Sequence, residues 1–235
     1  MQRYFAKDEK LNISDLDKHH IINVMRIKKD DYIQIVYNEK VYLCIIDDVF
    51  KKDVVYHAVK QIKENNELSI KVTIAIPLVS EKKMDFIFQK CSELGVYDFI
   101  VYNSHRSKTK QNEKINKKIE RWNLICKEAC EQSFRNRLTK VYGIKELSEI
   151  VNLKYDLSLV ASTKNIKKNL KNVMQNSTKC DTMIIVVGPE GGLTENEEGF
   201  LLDNGYEGVT FGNTILRCET APMFIMSAIK YEFMR

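Results

Sequence analysis

The sequence predicts an α/β protein in two parts, a small β domain over residues 1–66 and an α/β domain with a largely parallel sheet over residues 70–235. Two observations carry this reading. Three runs rich in β-branched and aromatic residues crowd into residues 31–62, and from residue 70 onward strand-like runs alternate with segments of helical period. Between them the polar stretch KENNELS, residues 63–69, is the one convincing linker.

Taken in order, residues 17–27 after MQRYF are helical in pattern, with Ile21, Val24 and Met25 on one side. Strands follow at 31–38, 40–50 and 54–62, a small β domain that reads as a barrel. IKVTIAIPL, residues 70–78, opens the second domain. Met84, Ile87, Phe88, Cys91 and Leu94 then mark one helix face, with Gly95 at its end. A strand at 97–103 precedes a long helix whose apolar side carries Ile115, Ile119, Trp122, Cys126 and Ala129. Further strands fall at 156–162, 182–188 and 207–212, and a helix from about Ala221 closes the chain.

Composition narrows the class. Hydrophobic residues make up 44%, with only nine glycines and three prolines among 235 residues, which describes an ordered globular chain. The N-terminal MQRYFAKDEK carries charge where a signal peptide needs an apolar core, and no apolar run approaches the roughly 20 residues of a spanning helix. A soluble, cytoplasmic protein without membrane contact is expected. The six cysteines form no C-x-x-C pair and have no histidine at zinc-finger spacing, so reduced thiols and no metal site are expected. Residues 105–140 hold eleven lysines and arginines against four glutamates, a local charge of +7 in a chain whose net charge is +5. Such a field suits a polyanion such as nucleic acid; a solvated helix face is the alternative.

Two stretches carry candidate chemistry. In VVGPEGGLTENE, residues 186–197, an apolar strand stops at Gly188, Gly191 and Gly192 relax the backbone, and Thr194 with Glu197 forms a T-x-x-E capping box for the next helix. Neither G-x-G-x-x-G nor a G-K-[ST] sequence is present. FGNTILRCETAPMF, residues 211–224, repeats the plan, with Thr220 as the expected N-cap and Pro222 in the first turn. With the end of LSLVAS, three backbone-lined turns would share one sheet edge, a setting for an adenosine. A purely structural role for these turns stays open at this point.

The strings GPEGGLTENE and ILRCETA, with KMDFIFQKCSELGV, EACEQSFRNR, MQRYF and HIINVMRI upstream, closely resemble the RsmE family of 16S ribosomal RNA uridine-N3 methyltransferases of the SPOUT superfamily. The likeness runs essentially end to end. It implies a PUA-like β-barrel, a SPOUT α/β domain with a deep C-terminal trefoil knot, a homodimer, and S-adenosylmethionine (SAM) as cofactor. Motif by motif, the cofactor would be held by Leu159, Val160 and Ala161, by Val187, Gly188, Pro189, Glu190, Gly191 and Gly192, and by Phe211, Gly212, Ile215, Leu216, Arg217, Glu219 and Thr220. Thr214 and His105 stand where many relatives carry arginine and glutamate.

The implied reaction is attack of a uridine N3 on a sulfonium methyl, so the site must align two reactants and favour the uridinate. Arg217, Arg135 and Arg106 are the candidate catalytic cations. Arg26, Arg106, Lys108, Lys110, Arg135 and Arg137 are the candidate RNA contacts, the partner being 16S rRNA in the small ribosomal subunit. For each arginine a phosphate contact or a structural ion pair is the competing reading. No residue stands out as general base. Another SPOUT reaction and an RNA-binding protein without catalysis are the alternatives at the level of the whole chain.

Overall fold

The computed structural model describes all residues except 108–114, 164–167, 177–179 and 235. They form two compact units, Met1–Glu67 with Glu128–Leu138, and Leu68–Lys127 with Thr139–Arg235. No helix among the described residues is long and apolar enough to cross a membrane. The six cysteines are free, and all but Cys180 are buried.

The first unit is a four-stranded sheet in the order β1 (Arg3–Phe5), β2 (Tyr32–Tyr37), β3 (Lys40–Val49) and β4 (Val54–Ile62), with β1 parallel to β2 and the rest antiparallel. The sequence suggested a barrel. In the structure β1 and β4 are the two sheet edges, so the sheet is open: the strand pattern reports which residues are strands, whereas closure depends on a long-range pairing it does not encode. Helix α1 (Asp15–His19) starts at Ser14, whose hydroxyl accepts from Asp17 N–H at 3.1 Å while the Asp17 carboxylate accepts from Ser14 N–H at 3.1 Å, a capping box. It runs on into a π-helical turn, His20–Val24, where His20 Nδ1 and the Tyr4 hydroxyl lie 3.0 Å apart. Tyr4, Ile21, Ile33, Ile35, Cys44 and Ile46 make the core.

Residues 128–138 join this unit through a buried arginine. Arg3 is fully enclosed, and its guanidinium donates to Gln34 Oε1 at 2.7 and 2.9 Å, to Glu64 Oε1 at 2.9 Å and to the Arg135 carbonyl at 3.1 Å. A buried charge is tolerated only when paired and hydrogen-bonded, as this one is.

The second unit has six parallel strands in the order β10-β8-β9-β5-β6-β7. They are β5 (Lys71–Pro77), β6 (Asp98–Tyr102), β7 (Lys140–Lys145), β8 (Leu157–Ala161), β9 (Thr182–Val186) and β10 (Glu207–Val209). The chain steps outward from β5 to β7 and then lays down β8, leaving the place that β9 fills between β8 and β5. The helices are α2 (Glu81–Glu93), α3 (Ile115–Gln132), α4 (Leu147–Ile150), α5 (Leu170–Asn176), α6 (Glu195–Asp203) and α7 (Thr220–Phe233), of which α3 ends in the first unit. α4 and α5 escaped sequence reading because each is too short to display a helical period, and β7 because its run KVYGIK has lysine at both ends and a glycine inside.

Alternation along the strands divides the core in two. Ile74, Ile76, Phe99, Val101, Ile185 and Val187 belong to one cluster with α2 and α7, and Ala75, Ile100, Ile184 and Val186 to a second with α4 and α6. Full burial of each aliphatic side chain contributes about 1.5–3 kcal/mol. In α2 the predicted face is the buried one, and Phe88 meets Phe99 edge-on at 4.8 Å and Trp122 at 5.2 Å. Gly95, at φ +99°, ends the helix in a conformation that side-chain-bearing residues rarely adopt.

Candidate active site

Because β8, β9 and β10 are parallel neighbours, their carboxyl ends lie side by side, and the three loops that leave them enclose a cavity of about 600 Å³. The site sits where open α/β sheets commonly hold ligands, outside the carboxyl ends of the strands. Ala161, Ser162 and Thr163 come from the first loop, residues 187–193 from the second, and residues 210–218 from the third.

Each loop has a local reason for its course. After β9, a Cβ on Gly188 would lie 3.0 Å from the backbone nitrogen of Leu193, so glycine lets the turn fold back closely on itself. Gly192, at φ +70°, donates its N–H to the Pro189 carbonyl at 2.8 Å. Thr194 then caps α6 as predicted, its hydroxyl accepting from Glu197 N–H at 3.1 Å. The Glu197 carboxylate accepts from Thr194 N–H at 2.8 Å and from His105 N–H at 2.8 Å. Burial pushes this carboxyl up, but the hydrogen bonds from Thr194, His105 and Ser104 outweigh it and hold Glu197 below its ordinary range.

The third loop leaves its own backbone open. The N–H groups of Gly212, Asn213, Thr214, Ile215 and Leu216 donate to no described residue, and Gly212 stands at φ +108°. Ile215 is 80% exposed on the cavity rim. Amides without a described partner and apolar side chains thus share one loop on the cavity wall. Thr220 is the first residue of α7 and not its cap; Glu219 holds the N-cap position, with helical backbone angles and no side-chain capping bond. The Arg217 carbonyl accepts from Thr220 N–H at 2.9 Å, so the helical turn begins earlier than the threonine signal implied.

Two arginines flank the cavity. Arg106 donates to the Gly191 carbonyl at 2.8 Å and the Leu193 carbonyl at 3.3 Å, which fixes the second loop from the outside. Arg217 is exposed, and its guanidinium makes no hydrogen bond or ion pair with another described residue. On the opposite wall Lys83, from the first turn of α2, pairs with Glu190 and, at 3.1 Å, with Glu219. These bonds raise the Lys83 ammonium above its ordinary value. Burial, aided by Glu219, pushes the Cys218 thiol up to about 11.

The predicted cofactor residues divide cleanly. Ala161, residues 187–192, Phe211, Gly212, Ile215, Leu216 and Arg217 line the cavity. Leu159 and Val160 do not: their side chains are fully buried in the strand core, one in each cluster. Glu219 and Thr220 stand behind the lining. Arg135 belongs to the first unit, 3% exposed and paired with Glu67, so its charge is committed within the fold. Arg26 and Arg137 also belong to the first unit, and Lys108 and Lys110 lie outside the described residues. Lys83, Ser162 and Glu198 line the cavity unforeseen. Nothing in EKKMDF sets Lys83 apart from its neighbours, since only the fold carries α2 to these loops.

Fold and site together define a class: a parallel α/β domain with a cavity of about 600 Å³ among the loops at adjacent strand ends. Comparison with known proteins makes the class specific. Residues 66–230 match the RNA methyltransferase domain family and residues 13–55 the RNA methyltransferase PUA domain, and the chain belongs to the RsmE family of RNA methyltransferases. It is 36% identical over 253 aligned residues to the ribosomal RNA small subunit methyltransferase E of Bacillus subtilis (strain 168), covering 99% of this chain and 97% of that protein. The protein of that name from Mesomycoplasma hyopneumoniae (strain 232) is 30% identical over 97% of this chain and 98% of its own length. Among solved structures, a ribosomal RNA small subunit methyltransferase E from Neisseria gonorrhoeae bound to S-adenosyl methionine superposes with a TM-score of 0.89 at 27% identity, over 99% of this chain and 98% of that one.

Proposed function

We propose that the cavity holds SAM and that the protein methylates N3 of a specific uridine in the 16S rRNA of the small ribosomal subunit, work that belongs in the cytoplasm. The observation that carries this reading is the third loop, whose residues 212–216 line a cavity of about 600 Å³ and whose amides there donate to no described residue. That donor set fits an adenosine, with amides for its polar edge and aliphatic side chains against its flat face. The gonococcal relative, a match over nearly the whole chain, is described as SAM-bound. When bound, SAM supplies a methyl group on a sulfonium, open to in-line attack.

The residues of this chain do the rest. The Arg217 guanidinium, at the cavity and without a partner among the described residues, is assigned to the uracil oxygens, where a permanent cation favours the N3 anion. Arg106 is assigned to holding the second loop and, through its exposed side, to RNA. Glu190 and Glu219 are ion-paired and Glu197 is tied into a helix cap, so none is assigned as a base.

The reading assigns residues 1–66 to RNA binding and residues 70–235 to methyl transfer, with Arg26, Arg137, Lys108 and Lys110 as phosphate contacts. It extends to a homodimer and to a C-terminal trefoil knot. The test is transfer of labelled methyl from SAM to small subunits lacking the modification, mapped by reverse transcription. N3 methylation blocks base pairing, so a single new stop at a uridine of 16S rRNA is expected. Transfer to another RNA alone, or a product that copies without a stop, overturns the assignment.

A further inference from the structure

Lys83 is the one charged side chain of α2 on the cavity wall, and it touches two of the three loops. Its ammonium pairs with Glu190 of the second loop and lies 3.1 Å from Glu219 at the end of the third. The thiol of Cys218 sits 3.8 Å from the same nitrogen and 3.2 Å from Glu219 Oε2, so the third loop is engaged at two successive residues. Glu190 and Glu219 lie 29 positions apart in sequence, and the loops bearing them leave β9 and β10, which are not neighbours in the sheet. The amides of the third loop from Gly212 to Leu216 donate to no described residue.

We infer that Lys83 is a positioning residue for the cofactor: a cationic clamp that fastens both loops to the rigid helix α2 and sets the cavity in its binding shape before the ligand arrives. This rests on the SAM reading of the cavity. A preformed site spares the ligand the cost of ordering the loops, so the clamp acts on affinity. Without the ammonium, the ion pairs that tie Glu190 and Glu219 to α2 are lost.

The test compares Lys83→Met and Lys83→Arg with the parent protein. Lys83→Met is expected to raise the Kd and KM for SAM at least tenfold, with kcat at saturating SAM within about threefold of the parent, KM for the ribosomal subunit unchanged and the thermal midpoint preserved. Lys83→Arg, which keeps the charge, is expected to restore most of the affinity. In the ligand-free protein, Lys83→Met is expected to speed amide hydrogen exchange in peptides covering 188–193 and 211–219 and not in those covering β5 and β6. Unaltered exchange in both loops, or SAM affinity within twofold of the parent, overturns the clamp. If the parent itself fails to bind SAM, the cofactor reading falls, and the exchange experiment still decides whether Lys83 orders the loops.

Discussion

Glu197 illustrates how much of this site a single side chain organises. Its two carboxylate oxygens cap α6 through Thr194 and hold the His105 backbone, all through bonds that favour the ionised form. A carboxyl held below its unfolded value contributes stability that is complete above the ordinary carboxylate range and is lost as pH falls through its folded value. Glu197→Gln is therefore expected to be less stable than the parent at pH 7, with the gap closing as urea melts are repeated toward pH 3. Thr194→Ala, which removes only the hydroxyl half of the box, is expected to cost about 1 kcal/mol in the same melts. Arg217→Ala is expected to lower methyl transfer at least a hundredfold with an unchanged melting temperature; near-normal turnover would remove Arg217 from the reaction.

At the scale of elements, periodicity proved legible where segments were long and one-sided. The α2 face from Met84 to Cys91 and the α6 cap could be read directly, because burial and capping leave a local signature. The start of α7 could not, since Thr220 and Pro222 look the same whether the helix begins at or before them. The aromatic contact of Phe88 with Phe99 and Trp122 joins α2, β6 and α3 at a fully buried point. Phe88→Ala is expected to cost about 3–5 kcal/mol in denaturant unfolding, the usual effect of emptying a packed aromatic site. A cost below 1 kcal/mol would mean that these elements are not locked together there.

For the whole molecule, the change of sequence pattern near residue 66 carries no sign that residues 128–138 belong with Met1–Glu67. That association rests on Arg3, whose partners at Gln34, Glu64 and Arg135 are scattered along the sequence. The same reason explains Arg135: its spacing among basic residues reads as an RNA contact, while its fold partner is Glu67. Arg26, exposed on the first unit, is a better phosphate candidate. Affinity for 16S rRNA is expected to fall steeply with salt, and Arg26→Ala to reduce the slope of log K against log salt by about 1. A slope identical to that of the parent would take Arg26 off the RNA.

Calorimetric titration of SAM decides whether the loops after β8, β9 and β10 form its site. Gly191 carries no positive φ, and a side chain there meets Arg106 at ordinary contact distance on the cavity wall. Gly191→Phe therefore adds bulk to the site without straining the backbone. One SAM per chain is expected for the parent protein, and no measurable binding for Gly191→Phe at an unchanged melting temperature. Equal affinity in the two proteins would contradict this assignment.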